Sequence, residues 1–448
     1  MAIRSKIELD PRLKPGPKSE LNLAQELADY IRSVKYQDLP EDVIHETKKR
    51  VIDSLGCGIG AYNSEPVKIS RTVTENVRND HGSTLFGTRR KTTPDLAAFV
   101  NGIMVRYFDY NDTYLSKEPA HPSDNVGPCF SVAEAEGATG KDLLLSIVLA
   151  YEIQCRLCDA ADIRHRGWDH VCYGLASTAL AAGKLMELSV DEMTEAVNLA
   201  LNSHITMRQV RAGELSIWKG CSFANAARNG VFSALLAREG MRGPSPIFEG
   251  EMGFFKQVSG PFQININDFG GRNGSFKIRE TNPEDIVSVE IASHEAGYTI
   301  LGRDPEKWNP MTKETADHSL PYIVAMAMFE GRIDNSTYSE KKYRDPKILD
   351  FLKKITVIED KELSARYPEA VANRITVKLA SGTVITKQVD YHKGHPKNPM
   401  SDKEVEDKFE RLTRKYLTKN QSRRILDTIW SLEKVNEVGK IVSLLTVR

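Results

Sequence analysis

The segment DYNDTYLSKEPAHPSDN, residues 109–125, gathers acid, hydroxyl, amide and imidazole groups directly after an apolar run. Loops of this composition carry function more often than fold. Pro122, Ser123, Asp124 and Asn125 are helix-starting residues, which predicts His121 at the N-terminus of a helix that continues through Val132 and Ala133. The helix dipole there disfavours imidazolium. A neutral histidine suits a general base or a hydrogen-bond donor to a developing oxyanion. The alternative reading makes Asp109, Asp112 and Ser123 caps and turn residues only.

Two further clusters bear chemistry. RHRGWDH, residues 164–170, ends with His170 just before an Ala-rich helical pattern, either as a catalytic group or as a structural junction histidine. MRQVRAGELSIWKG, residues 207–220, places the cations Arg208, Arg211 and Lys219 with Glu214 in a short linker. Trp218 beside Lys219 argues for partial burial, and a buried lysine needs an anion from the protein or from a ligand. Cys155 and Cys158 spell CxxC, but inside a helical apolar run rather than in the loop or helix start that usually supplies cluster ligands. Gly270, Gly271 and Gly274 lack the strand-then-helix frame of a phosphate loop and read as a domain-junction turn.

Helices must position these clusters. Apolar spacing predicts them in residues 21–34, 39–62, 93–108, 140–160, 173–188, 190–204 and 225–240. Their Ala, Gly and Ser content suits close packing in a buried bundle. After Phe269 the pattern changes. IVSVEIAS, KITVIED and NRITVKLASGTVITKQVDY read as strands, the last a hairpin turning at Ala380, Ser381 and Gly382, with one apolar helix in HSLPYIVAMAMFEG. Helical patterns return in residues 401–417 and 422–435. The expected organisation is mainly α: a helical domain over 1–271, an inserted α+β lid over 272–399, and C-terminal helices over 400–448 that rejoin the first domain.

With 448 residues the chain exceeds what one compact core usually supplies, in keeping with two domains. Sixty-one Lys plus Arg balance 61 Asp plus Glu, so the field that marks nucleic-acid binders is missing. No apolar stretch is long enough to span a bilayer. The amino terminus has the pattern of neither a secretory signal nor a mitochondrial presequence, so a soluble protein of the cytoplasm is expected, or of the mitochondrial matrix if the source is eukaryotic. Six cysteines in small or apolar surroundings are expected to be reduced thiols.

Four motifs together resemble the MmgE/PrpD family of 2-methylcitrate dehydratases and related cis-aconitate decarboxylases: DYNDTYLSKEPAHPSDN, YEIQCRL, GELSIWKGCSFANAARN with GMRGPSPIFEGEMGF, and ETADHSLPYIVAMA. The likeness runs from about Leu21 to Val435. It implies a large helical domain with a smaller α+β lid, homodimers, a tricarboxylate substrate, and no metal, cluster or other cofactor. It also implies an active site between domain and lid containing Asp109, Thr113, His121, His170, Lys219 and Tyr322. In that site His121, held by Asp109 or Thr113, is one member of an acid–base pair with His170 or Tyr322 the other, and Lys219, Arg208 and Arg211 bind carboxylates. The GELSIWKG and ETADHSLPY forms resemble the dehydratase branch, which implies metal-independent loss of water from 2-methylcitrate in propionate breakdown. One departure stands out: the family normally carries a further segment with an active-site lysine where Thr281, Asn282 and Pro283 join the flanks directly. The resemblance then implies a substitute cation, with Lys277 and Arg279 nearest, or weakened or lost catalysis. Decarboxylation of cis-aconitate, a cluster-dependent hydratase built on Cys155 and Cys158, and tricarboxylate binding without turnover are the alternatives.

Overall fold

The computed structural model describes residues 22–114, 116–280, 282–283, 290–330, 333, 335–378, 384–391 and 397–447. The first domain is built from α1 (Leu23–Ser33), α2 (Glu41–Gly60), α3 (Glu65–Thr74), α4 (Pro94–Arg106), α5 (Val126–Ala135), α6 (Gly140–Ala160), α7 (Val171–Leu185), α8 (Val190–Ser203) and α9 (Ser222–Arg238). Capping boxes start α6 at Thr139 with Asp142 and α8 at Ser189 with Glu192. α7 lies in the middle, packed on α6, α8 and α9. Small residues permit this: a Cβ at Gly174 would stand 2.4 Å from the Phe223 ring, and one at Gly230 would stand 3.0 Å from the Ala179 main-chain nitrogen. Helix α3 is not among the helices that apolar spacing predicts. Its Ile69 and Val73 face solvent, so it lacks the apolar stripe by which a helix is recognised.

Two short pairings decorate this domain: β1 (Ser83–Thr84) with β2 (Lys91–Thr92), and β3 (Asp112–Thr113) with β4 (Asn282–Pro283), the latter antiparallel with Asp112 opposite Pro283 and Thr113 opposite Asn282. Thus the junction singled out in the sequence lies on the Asp109–Thr113 loop. Thr281 and residues 284–289 are outside the described residues.

The second unit has a four-stranded sheet in the order β6-β5-β7-β8, formed by β5 (Glu290–Ser293), β6 (Thr356–Glu359), β7 (Asn373–Lys378) and β8 (Val384–Val389). β5 pairs parallel to β6 and antiparallel to β7, which pairs antiparallel to β8. The predicted turn of that last pair, Ala380 to Gly382, falls outside the described residues. Helices α10 (Glu295–Leu301), α11 (Lys313–Asp317), α12 (Leu320–Glu330), α13 (Glu340–Tyr343), α14 (Pro346–Leu352) and α15 (Lys361–Ala365) complete it. Its core, including Ile291, Leu320, Tyr322, Val324, Leu352 and Val357, is separate from that of the helical domain.

Three terminal helices follow: α16 (Asp402–Thr413), α17 (Lys419–Trp430) and α18 (Gly439–Leu444). Val405, Phe409, Ile425 and Ile429 belong to the helical-domain core, and α16 packs on α2. Lys408 of α16 is buried; its ammonium lies 2.8 Å from Asp53 Oδ1 of α2 and donates to the Tyr110 carbonyl at 2.6 Å. The fold is therefore mainly α with a small α+β part.

Candidate active site

Helix α4 ends next to the site. Asp109 adopts φ 53°, a left-handed conformation that aspartate tolerates better than most residues, and its carboxylate turns back to accept a hydrogen bond from Arg106. The other oxygen, Oδ2, accepts from Lys219 Nζ at 2.6 Å. Lys219 sits on a short 3₁₀ turn before α9 and is 3% exposed, whereas its neighbour Trp218 is 47% exposed. The anion that a buried lysine requires is thus supplied by the protein itself. Burial holds the Lys219 ammonium well below its ordinary pKa, although Asp317 opposes this.

His121 precedes the 3₁₀ turn Pro122–Asn125 that feeds α5, as its neighbours predict. Its Nδ1 lies 2.8 Å from the Asp112 carbonyl and 3.4 Å from Thr113 Oγ1. A carbonyl only accepts, so Nδ1 carries the proton and Nε2 presents its lone pair, 3.8 Å from Asp109 Oδ1. Burial, then the Arg106 charge, lowers the His121 pKa well below 6.5, so the ring is neutral at physiological pH.

His170 directly precedes α7, with its ring centroid 5.9 Å from that of His121. Its Nε2 lies 3.1 Å from an Arg211 nitrogen. Guanidinium only donates, so Nε2 accepts and the His170 proton is on Nδ1, 3.5 Å from Asp169 Oδ1. Burial lowers its pKa to about 3, with Arg211 and Arg208 adding to the shift against Asp169. Arg211 Nε also binds Asp169 Oδ2 at 2.6 Å, and Arg208 reaches the same oxygen at 3.4 Å. Two guanidinium groups share one carboxylate, which leaves an excess positive charge beside His170.

The second unit contributes His318, which follows α11. Its Nε2 lies 3.0 Å from Asp109 Oδ2; its Nδ1 lies 3.0 Å from Lys219 Nζ and 2.8 Å from Asp317 Oδ1. Asp317 is held below the usual carboxylate range by Lys313 and Lys219 against the opposing effect of burial, and Lys313 Nζ lies 2.6 Å from it. Burial and the Lys219 charge lower the His318 pKa to about 3. His318 is a site residue that the sequence analysis misses, although the imidazole-before-helix pattern of His121 and His170 recurs in DHSLPY. Tyr322, which the family resemblance implies, is buried in the core of the second unit with its hydroxyl donating to the Thr337 carbonyl at 2.6 Å. Asp109, Thr113, His121, His170, Lys219, Arg208 and Arg211 do lie in one connected group.

Among the described residues, Asp109, Asp317 and His318 converge as metal ligands would, with donor atoms within 4.8 Å of one another. Lys219 Nζ already brings a cation to the same group. Cys155 and Cys158 are buried along α6, and burial raises both thiols well above 9.0, leaving them protonated. Of the cations nearest the shortened junction, Lys277 pairs with Asp159 at 3.1 Å; the Arg279 side chain is outside the description. Among the described residues no helix is long and apolar enough to cross a membrane.

Comparison with known proteins gives the family of the chain. The MmgE/PrpD N-terminal domain matches residues 25–267 and the MmgE/PrpD C-terminal domain matches residues 275–434. The 2-methylcitrate dehydratase of Escherichia coli K12 is 30% identical, over 89% of this chain and 92% of its own. A mitochondrial 2-methylcitrate dehydratase of Yarrowia lipolytica is 28% identical over 83% and 80%. A cis-aconitate decarboxylase-like protein of Aspergillus oryzae is 24% identical over 95% and 98%.

Proposed function

The chain belongs to the MmgE/PrpD family, and from that premise we propose that it is a hydro-lyase that removes water from 2-methylcitrate to give 2-methyl-cis-aconitate. The observation that carries this reading is the pairing of an unprotonated nitrogen with an exchangeable proton around one carboxylate: His121 Nε2 on one side of Asp109, and Lys219 with His318 on the other.

Dehydration needs a base for the C–H proton beside a carboxylate and an acid for the departing hydroxyl. His121 Nε2 takes the proton; the C–H electron pair forms the double bond as the C–O bond breaks; the hydroxyl leaves as water with a proton from the Lys219 ammonium, given directly or relayed by the neutral His318 ring, which takes the Lys219 proton on Nδ1 as it gives up the one on Nε2. His318 Nδ1 meets both Lys219 and Asp317, so the ring accepts from the ammonium in one protonation state and donates to Asp317 in the other. His170 has its Nε2 lone pair bound by Arg211 and serves orientation, and Tyr322 has no part in proton transfer. Arg211 and Arg208 supply the excess charge for substrate carboxylates, with no metal called for in this mechanism. Lys219 is buried, and His318 of the second unit lies 3.0 Å from both it and Asp109, so on this reading that unit shifts for substrate to enter.

The test is chelator-treated protein given 2-methylcitrate, followed by ultraviolet absorbance of the conjugated acid and by carbon dioxide release. Absorbance without carbon dioxide is expected. Carbon dioxide from cis-aconitate would make the protein a decarboxylase, and binding without turnover would make it a tricarboxylate-binding relative disabled at the shortened junction. A homodimer in the cytoplasm or mitochondrial matrix belongs to the same reading. Met207, Trp218 and Phe232 expose apolar surface over residues 207–232, and sedimentation at twice the chain mass is the check on the dimer.

A further inference from the structure

Asp112 lies fully buried on β3, between the residues of the site rather than among them. Its Oδ1 accepts from the Ser123 main-chain N–H at 3.0 Å, inside the turn that His121 opens. Its Oδ2 accepts from the Tyr151 hydroxyl of α6 at 2.8 Å, and Arg50 Nε of α2 stands 3.9 Å from the same oxygen. Both carboxylate oxygens are engaged in tying the loop to the helical domain. The part of Asp112 that meets His121 is its main-chain carbonyl, 2.8 Å from Nδ1.

We infer that Asp112 is the positioning residue for His121: its side chain fixes the loop, the loop aims the carbonyl, and the carbonyl keeps the proton on Nδ1 and the lone pair on Nε2. The importance of this to catalysis rests on the reading of His121 as the base, but the contacts themselves do not. A neutral imidazole interconverts between its tautomers in water, and in a protein the hydrogen bond that the ring makes sets which one is held. A fixed acceptor of ordinary hydrogen-bond strength biases that choice by about tenfold. A carboxylate acting directly on the ring would also accept its proton, whereas a carbonyl holds the tautomer without competing for the charge.

The experiment is nitrogen NMR of protein labelled with ¹⁵N-histidine, the His121 signals being identified by their loss in His121→Gln. The parent should show protonated Nδ1 and bare Nε2. Asp112→Ala should show a mixture of tautomers and about tenfold lower kcat at unchanged KM. Asp112→Asn, which keeps an acceptor for Ser123, should restore the parent pattern. If Asp112→Ala fails to fold by near-ultraviolet circular dichroism, Tyr151→Phe removes a single tie and should produce the same mixing to a smaller degree. A folded Ala or Phe variant whose His121 keeps the parent tautomer overturns the inference, whatever its kcat. If the parent shows no turnover, the proposed reaction fails while the NMR signals still decide the role of Asp112.

Discussion

His121 and His318 approach the two oxygens of Asp109 from different domains, at 3.8 Å and 3.0 Å, and they are held by different kinds of partner. On the helical-domain side Nδ1 of His121 meets a main-chain carbonyl, which can neither give nor take a proton. On the lid side Nδ1 of His318 meets Lys219 and Asp317, both of which can. The first arrangement fixes a tautomer and the second leaves a proton exchangeable. On the proposed mechanism the bundle supplies the base with a fixed tautomer, and the second unit supplies the imidazole whose protonation changes.

The largest effect that would break this contrast is at the rigid side. His121→Gln should lower kcat by roughly 10²–10⁴ in folded protein, as expected for a lost acid–base group, measured by turnover of 2-methylcitrate. Activity equal to the parent would leave the helical-domain half without its base. On the lid side His318→Gln should lower kcat by about 10², the lower end of that range, since Lys219 remains to supply a proton. A loss as large as that of His121→Gln would mean that the Lys219 proton reaches the hydroxyl only through the imidazole.

Acid unfolding sharpens the comparison. His170 and His318 have folded pKa values of about 3, and His121 lies well below its ordinary 6.5. Each is therefore neutral when folded and takes up a proton on unfolding. Their contribution is complete above pH 6.5 and is lost as pH falls from 6.5 toward 3. The slope is at most about 1.4 kcal/mol per pH unit for each histidine. Urea midpoints at several pH values should fall across this window, and either His170→Gln or His318→Gln should flatten the fall. If the lid unfolds by itself, the two variants should flatten different transitions. The smallest change is expected for Arg211→Met: with a neighbouring cation removed, the His170 pKa should rise from about 3 toward 6.5, followed by NMR titration.

His121 and His170 were legible because a local pattern, an imidazole directly before helix-starting residues, is written in the chain order. Lys219 was legible because a buried cation demands an anion, but that anion, Asp109, is 110 positions away and no local rule names it. The Arg208 and Arg211 pairing with Asp169 is hidden for the same reason. In DHSLPY the local signal was present and His318 was overlooked. The apolar helix after it has no polar face, so spacing could not show that Tyr322 turns into the lid core. The helical array, the change of pattern after Phe269 and the return to helix follow from periodicity, whereas the β3–β4 pairing joins two residues to two with nothing in either sequence to announce it.

Lys408 gives the molecule a temporal order. Its ammonium holds the Tyr110 carbonyl across 298 positions of sequence, one residue from Asp109. The loop that carries Asp109 is synthesised well before the helix whose lysine fastens it and pairs with Asp53. That loop is among the earlier parts of the chain to be made and among the last to be fastened, so a product truncated before α16, which also loses Val405, Phe409, Ile425 and Ile429 from the bundle core, is expected to show no turnover of 2-methylcitrate.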